Sequence, residues 1–589
     1  MDAVLAGRDS IVVLPTGGGK SLCFQAPAIV QSGLAIVVSP LISLMKDQVD
    51  TLVGNGVPAG LYNSSLSSDE KAAVTAGLRQ GRYRLLYVSP ERLVGEGGDG
   101  FLSLLSSCPS PISFVAIDEA HCISQWGHDF RPEYRQLGRL RQLLPGVALH
   151  AYTATATVRV RRDIATQLTL RDPIEYVGSF DRPNLLYRVI ARATLKKQLL
   201  EVLDRHHREA GIIYCTSRRE VDALADWLSS VPGLGVRALP YHAGLSDAER
   251  SRNQDAFLSE RADVIVATVA FGMGIDRSDV RFVVHAGAPR SLEHYQQESG
   301  RAGRDGLEAE CLLIYSAADF MRWRVMLERN GEFTEATRAL MRGMERYATG
   351  VGCRHRHLAE YFGDRYEAAA ADGCAACDFC LDELESAPAP IVLARKILSC
   401  VARVGQRFGA THVASVLRGH ASDAVLARGH EKLSTFGLLP EMSVTEVRGY
   451  IEQLAGLGLL HQAGEDYPVL ALTPAGAALL KDETSFPGLA LARQRPPRKD
   501  RSRTQSRVEA ESWQDVDREL FERLRAVRLD IARARGVPPY VIFHDTTLRE
   551  MARLRPTSMA ALLGVKGVGT RKADDLGETF LSAIRQSRI

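Results

Sequence analysis

Two series of short β-branched runs limit what this chain can fold into more than any other feature. In the first, "SIVVLP", "LAIVVSP", "RLLYVSP", "SFVAID" and "VALHAYTAT" alternate with helix-like stretches from Ser10 to about Asp172. In the second, "GIIYCTS", "VRALPYHAG", "ADVIVATVA", "VRFVVHAG" and "ECLLIYS" do the same. Apolar runs of this length, alternating with helical segments, predict an α/β domain built on a mostly parallel sheet. The pattern occurs twice, so two such domains are expected. "SFDRPN" (Ser179 to Asn184) carries a proline and turn residues and reads as the junction between them.

A chain of 589 residues is too long for one core. After the second series the pattern turns helical. The expected divisions are 1–180 and 181–320 (the two α/β domains), 321–386 (a helical module carrying cysteines), 391–482 (helices, then a hairpin in "LGLLHQAGEDYPVLALT"), 486–511 (a linker) and 512–589 (helical again). The linker contains "ARQRPPRKDRSRTQSR", which is Pro-rich, basic and almost free of apolar residues, and so is expected to be disordered. A net charge of +3 neither demands nor excludes nucleic acid. No apolar stretch is long enough to span a bilayer, and the N-terminal residues do not read as an export signal. Ten cysteines in a chain of this size are not a disulfide scaffold.

"IVVLPTGGGKS" is a strand, a glycine turn, and a Lys-Ser pair opening a helix. Thr16, Gly17, Gly18, Gly19, Lys20 and Ser21 would form the phosphate cradle of ATP. The glycines let backbone N–H groups approach, Lys20 neutralises the outer phosphates, and Ser21 offers a hydroxyl to Mg²⁺. It is a variant form, because Leu14 stands where the strict pattern has glycine. Asp118 and Glu119 follow the run "SFVAI". Paired with a phosphate loop, Asp118 can hold the Mg²⁺ shell and Glu119 can polarise the attacking water. Arg301 and Arg304, in "QESGRAGRDG", are candidates for stabilising charge at the γ-phosphate from the second domain. Cys353, Cys374, Cys377 and Cys380 have the spacing C-x20-C-x2-C-x2-C, which suits a tetrahedral Zn²⁺ site and also resembles an iron–sulfur ligand run.

In order along the chain, "TGGGKS", "VVSPLISLMKDQ", "VSPERL", "DEAHCISQWGHDFRPEY", "TATA", "IIYCTS", "YHAGL", "VATVAFGMGID" and "QESGRAGRDG" resemble the motifs of the RecQ DNA helicases, superfamily-two enzymes with a DEAH-type box. The resemblance covers nearly the whole chain. It implies two RecA-like domains, a zinc module, a winged helix and a small C-terminal domain of the helicase-and-RNase-D (HRDC) type. It also implies ATP-dependent unwinding of duplex DNA with 3′ to 5′ polarity, in recombination, repair, SOS response and replication-fork processing.

The resemblance favours zinc at the four cysteines and leaves His355 and His357 as surface or DNA-facing residues. It makes the segment after the DEAH box an aromatic loop that senses single-stranded DNA. Trp126 and Phe130 would stack on bases, and His128 and Arg131 would contribute to the same DNA surface. Tyr467, at the hairpin tip, is either a pin that stacks at the duplex fork or an exposed turn aromatic. Lys566, Arg571 and Lys572 flank a glycine turn suited either to a DNA backbone or to a protein contact. The family also has an adenine-recognising glutamine upstream of the phosphate loop. This chain starts at Met1, after that position, so the expectation is either a misassigned or truncated start, or weaker adenine discrimination with a raised KM for ATP. Expected partners are single-stranded and duplex DNA, with single-strand-binding and recombination proteins as further partners. The chain is expected to act as a cytoplasmic, nucleoid-associated monomer. Two other functions fit the same residues: an RNA-remodelling ATPase of the superfamily, and a nucleotide-gated DNA-binding scaffold.

Overall fold

The computed structural model describes residues 1–94, 98–272, 277–367, 373–463, 469–495 and 507–586. The first sheet contains β1 (Ser10–Val13), β2 (Leu34–Val38), β3 (Ala59–Tyr62), β4 (Leu85–Val88), β5 (Ile112–Ile117), β6 (Ala148–Thr153) and β7 (Ile174–Val177). Their order is β3-β4-β2-β5-β6-β1-β7, and all pairings are parallel. The central strands are buried on both faces, as continuous Val, Ile and Leu runs require when helices cover both sides. β6 lies between β5 and β1, so the loops leaving the carboxyl ends of these three strands open into one crevice.

The second sheet contains β8 (Leu185–Ala191), β9 (Ala210–Tyr214), β10 (Ala238–Tyr241), β11 (Val264–Ala267), β12 (Val280–His285) and β13 (Ala309–Tyr315). Its order is β10-β11-β9-β12-β13-β8, again parallel throughout. The two lobes bear out the sequence reading of two α/β domains.

The cysteine module docks on the edge strand β8. Tyr187 N donates to Ala376 O at 3.1 Å, and Asp378 N donates to Tyr187 O at 3.0 Å. A buried pair, Arg354 on Asp378 at 2.9 Å, locks this junction, and Asp378 also accepts from Val189 N at 3.0 Å. Next come β14 (Leu384–Ser386) and the helices Pro390–Arg403, Ala410–Arg418 and Val444–Gly456. They are followed by the expected hairpin of β15 (Leu460–Ala463) and β16 (Val469–Leu472). Tyr467 at its tip lies outside the described residues. Within the stretch expected to be linker, β17 (Ala492–Gln494) pairs antiparallel with β14, and Arg507–Ser512 is helical.

The C-terminal helices form their own core around Phe521, Leu524, Phe543 and Phe580. They dock on the second lobe through polar contacts. Trp513 Nε1 donates to Glu308 at 2.8 Å, Arg549 pairs with Glu308 at 3.0 Å, and Arg528 pairs with Glu260 at 3.0 Å. Of the three basic residues around the glycine turn, Lys566 and Arg571 are exposed. Lys572 Nζ instead donates to Val541 O and Ile542 O, closing the end of the short helix Pro539–Ile542. Among the described residues, no helix is long and apolar enough to cross a membrane.

Candidate nucleotide site and interlobe seam

The loop after β1 opens directly into the helix Lys20–Val30. Gly17 (φ 81°) and Gly19 (φ 79°) have left-handed backbones, which a side chain would strain. That conformation turns successive N–H groups inward, making an anion cradle at a helix start. Lys20 Nζ lies over the cradle, 3.3 Å from Leu14 O, and Ser21 Oγ accepts from Gln48 at 3.2 Å.

Asp118 and Glu119 leave β5 beside it, both buried. Burial and the neighbouring Glu119 charge push the Asp118 carboxyl up to about 7, against the pull of Lys20. Burial acts upward on Glu119 too, but His121, Lys20 and Arg301 outweigh it and bring that carboxyl down to about 2. The pair is therefore one ionised and one easily protonated carboxyl, and a bound cation would favour ionisation of both. Glu119 has a left-handed backbone (φ 46°), uncommon for a residue with a side chain. His121 Nδ1 sits 3.3 Å from the Glu119 carboxylate and 2.9 Å from the Thr153 hydroxyl at the end of β6. Glu119 Oε2 is the atom that meets His121, and Arg301 Nε is buried without a hydrogen-bond partner, so charges of both signs lie beside the cradle. Cradle, lysine, acid pair and buried arginine together fit a nucleoside triphosphate with its cation.

The second lobe closes over this site. Arg301 is buried and near enough to Glu119 to help keep it ionised. A side-chain carbon at Gly17 would come within 3.7 Å of the Arg304 stem. Phosphate loop, acid pair and arginine pair, far apart in sequence, thus share one cleft.

The aromatic loop differs in part from expectation. Phe130 is exposed at 39% and available to a ligand. Trp126 is half-buried under the Arg159 guanidinium, 3.1 Å from the ring centroid. Arg131 is partly engaged, donating to Asp129 at 3.1 Å and to Pro40 O at 3.2 Å. His128 does not face outward as expected, being only 3% exposed. Its ring stacks on His121 at 4.3 Å and meets His294 of the second lobe edge-on at 4.8 Å. Arg290 Nη2 donates to His128 O at 2.7 Å. Burial and nearby positive charge hold His128 well below the ordinary histidine value, so a neutral ring bridges the lobes. His121, Thr153, Arg159 and His294 were not singled out from the sequence. Thr153, Arg159 and His294 find their partners far along the chain, where no local spacing marks them, whereas His121 is the histidine of the DEAH box, two residues from Glu119.

Cys353, Cys374, Cys377 and Cys380 place their sulfurs within 4.8 Å of one another. Cys374 Sγ accepts from Ala376 N at 3.3 Å, and Cys377 Sγ accepts from Cys380 N at 3.4 Å. Four sulfurs at this separation, with backbone N–H groups on two of them, fit a closed tetrahedral thiolate site for Zn²⁺. His355 is neither a ligand nor a surface residue: it is 2% exposed and bonded to Asp181 at 2.6 Å. His357 is half-buried.

Five family models match successive parts of the chain: DEAD/DEAH box helicase over 1–164, helicase conserved C-terminal domain over 194–306, RecQ zinc-binding over 317–381, RQC domain over 391–495 and HRDC domain over 517–584. The ATP-dependent DNA helicase RecQ of Pasteurella multocida is 41% identical over the full chain and 90% of that protein. The Haemophilus influenzae RecQ is 41% identical over the full chain and 93% of its own length, and the Bacillus subtilis RecQ is 40% identical over 98% and 94%. A cradle, acid pair and arginine pair in one cleft, a four-sulfur module on the second lobe, and five matched domains in this order lead to one conclusion: the chain belongs to the RecQ family of ATP-dependent DNA helicases.

Proposed function

We propose that this chain uses ATP hydrolysis to unwind duplex DNA with 3′ to 5′ polarity, in recombination, repair and replication-fork processing. Thr16, Gly17, Gly18 and Gly19 cradle the phosphates, and Lys20 neutralises the outer ones. Ser21 and Asp118 would hold Mg²⁺, which would supply neutralisation of the phosphate charge. Glu119, kept ionised, orients and polarises the attacking water. Arg301 and Arg304 stabilise the charge that develops on the transferred group. Cys353, Cys374, Cys377 and Cys380 hold a structural Zn²⁺. Phe130, with Trp126 and Arg131 beside it, meets the bases and phosphates of single-stranded DNA. The protein works as a monomer on the nucleoid, with single-strand-binding and recombination proteins as partners.

One observation carries the coupling. The Glu119 carboxylate, His121, His128 and His294 form a continuous contact series from the hydrolytic acid across the seam to the second lobe. Phe130, the exposed aromatic, lies two residues beyond His128. A base stacking on Phe130 therefore pulls on the element that touches both the acid and the far lobe.

Strand displacement on 3′-tailed and 5′-tailed DNA duplexes, with and without ATP, tests the reading. The 3′-tailed duplex should be unwound only with ATP, and Lys20→Ala should abolish unwinding. Unwinding that survives Lys20→Ala, or an ATPase stimulated by RNA and not by DNA, would contradict it.

A further inference from the structure

The junction 179–184 contains a group that touches both halves of the nucleotide cleft. Arg182 Nη1 donates to Thr16 O of the phosphate loop at 3.2 Å and to Gly300 O at 3.4 Å. Its Nη2 donates to Ala302 O at 3.2 Å and to Gly303 O at 3.0 Å. One planar guanidinium thus joins the loop that holds phosphate in the first lobe to the turn that carries Arg301 and Arg304 in the second. The two lobes meet closely here: a Cβ on Gly300 would lie 3.4 Å from Thr16 Cβ.

The residues just before Arg182 are held by the cysteine module. Asp364 accepts from Phe180 N at 3.0 Å and from Ser179 Oγ at 3.1 Å. The rings of Phe180 and Phe362 stack at 4.6 Å. His355 Nδ1 lies 2.6 Å from Asp181, and its Nε2 lies 3.1 Å from Leu185 O and 3.0 Å from Ala376 O. Carbonyls only accept, so Nε2 donates to them, while Nδ1 faces the Asp181 carboxylate. Ala376 lies between two of the cysteines. His355 lies in the first turn of the helix Arg354–Tyr361, whose N-cap is Cys353, and Asp364 lies just beyond its C-terminal end.

We propose that Arg182 is a positioning residue: it fixes the register between the phosphate loop and the arginine pair, and the cysteine module holds it there through His355 and Asp364. The proposal rests on the roles given above to Arg301 and Arg304. A fork of coplanar donors reaching four carbonyls is specific to arginine. A lysine keeps the charge but puts its donors on one nitrogen at the end of a flexible stem. Arg182→Lys should therefore fail almost as badly as Arg182→Ala.

The test measures ATP turnover at saturating single-stranded DNA, the KM for ATP, the thermal midpoint and zinc content for both variants. A spin-label pair, one label on each lobe, reports the interlobe distance with a non-hydrolysable ATP analogue. The expected result for both variants is a fall in kcat on the order of tenfold or more, with KM changed less than about threefold. The interlobe distance distribution should broaden, while zinc content and thermal midpoint stay near wild type. His355→Gln, which cannot serve three acceptors, should lower kcat in the same direction and by less. A kcat within about twofold of wild type in both Arg182 variants would overturn the proposal. So would a loss that tracks a lowered midpoint or zinc content, because that is what a merely structural residue would show. If the wild-type protein itself hydrolyses no ATP, the fault lies with the proposed function and not with Arg182.

Discussion

Glu119 accepts a left-handed backbone, and that position sets it between Lys20, Arg301 and His121. At this scale, some of the site is legible in the sequence and some is not. Lys20, Asp118 and Glu119 stand out because their chemistry depends on neighbours within a few residues, and local spacing records such neighbours. His128 sits among Trp126, Phe130 and Arg131, and that neighbourhood predicts a DNA contact. Its environment is instead decided by His294, which is 166 positions away. Arg182 reads as part of a turn for the same reason: its acceptors lie at positions 16, 300, 302 and 303.

Another buried histidine gives a pH expectation. His150 on β6 is fully buried and bonded to Ser10 at 2.9 Å, and burial brings it down from its usual 6.5 to about 4. The unfolded chain takes up this proton below 6.5 while the folded chain refuses it until about 4. Folding therefore loses up to about 1.4 kcal/mol per pH unit across that window and nothing further below it. The thermal midpoint should fall as pH drops from 6.5 to 4, and His150→Gln should flatten that slope. A variant as acid-sensitive as wild type would refute the assignment.

Among the elements, sheet strands and covering helices were the most legible. A buried parallel strand needs an unbroken apolar run and a covering helix needs a periodic one, and both patterns are local. Pairing between distant strands was not legible. β17 lies in a stretch read as linker because the basic residues around it dominate its composition, whereas its partner β14 is 108 residues upstream. The cysteine module shows how a spacing rule becomes geometry. Gly373 (φ 98°) precedes Cys374, and a Cβ there would lie 2.6 Å from Cys380 Sγ. Gly373→Ala should displace one ligand and cut the zinc retained per purified chain, measured by atomic absorption, by half or more. Because the module docks on β8 and the junction, chelating the metal should also lower the thermal midpoint of the second lobe. Full zinc occupancy in Gly373→Ala would show that the turn is more adaptable than its contacts imply.

For the whole molecule, the order of domains was legible and their mutual docking was not. The C-terminal helices rest on Glu260 and Glu308 of the second lobe through Arg528, Arg549 and Trp513, contacts made by single side chains with no motif around them. Among the described residues, the two lobes meet at the guanidinium of Arg182, in the His121–His128–His294 series, and where Arg301 and Arg304 approach Glu119 and Gly17, while Tyr361 of the cysteine module packs against both cores. These contacts lie within or beside the cleft that holds Glu119, so on the proposed function a polynucleotide that shifts one lobe is expected to disturb the residues assigned to hydrolysis. The most direct measurement is steady-state ATP turnover across a titration of single-stranded oligodeoxynucleotide, for the zinc-loaded wild type and for Phe130→Ala. The expected result is a rise of about tenfold or more in wild-type kcat, largely lost in Phe130→Ala while basal turnover persists. Turnover that ignores the oligonucleotide in the wild type would contradict the coupling between acid pair, aromatic loop and second lobe.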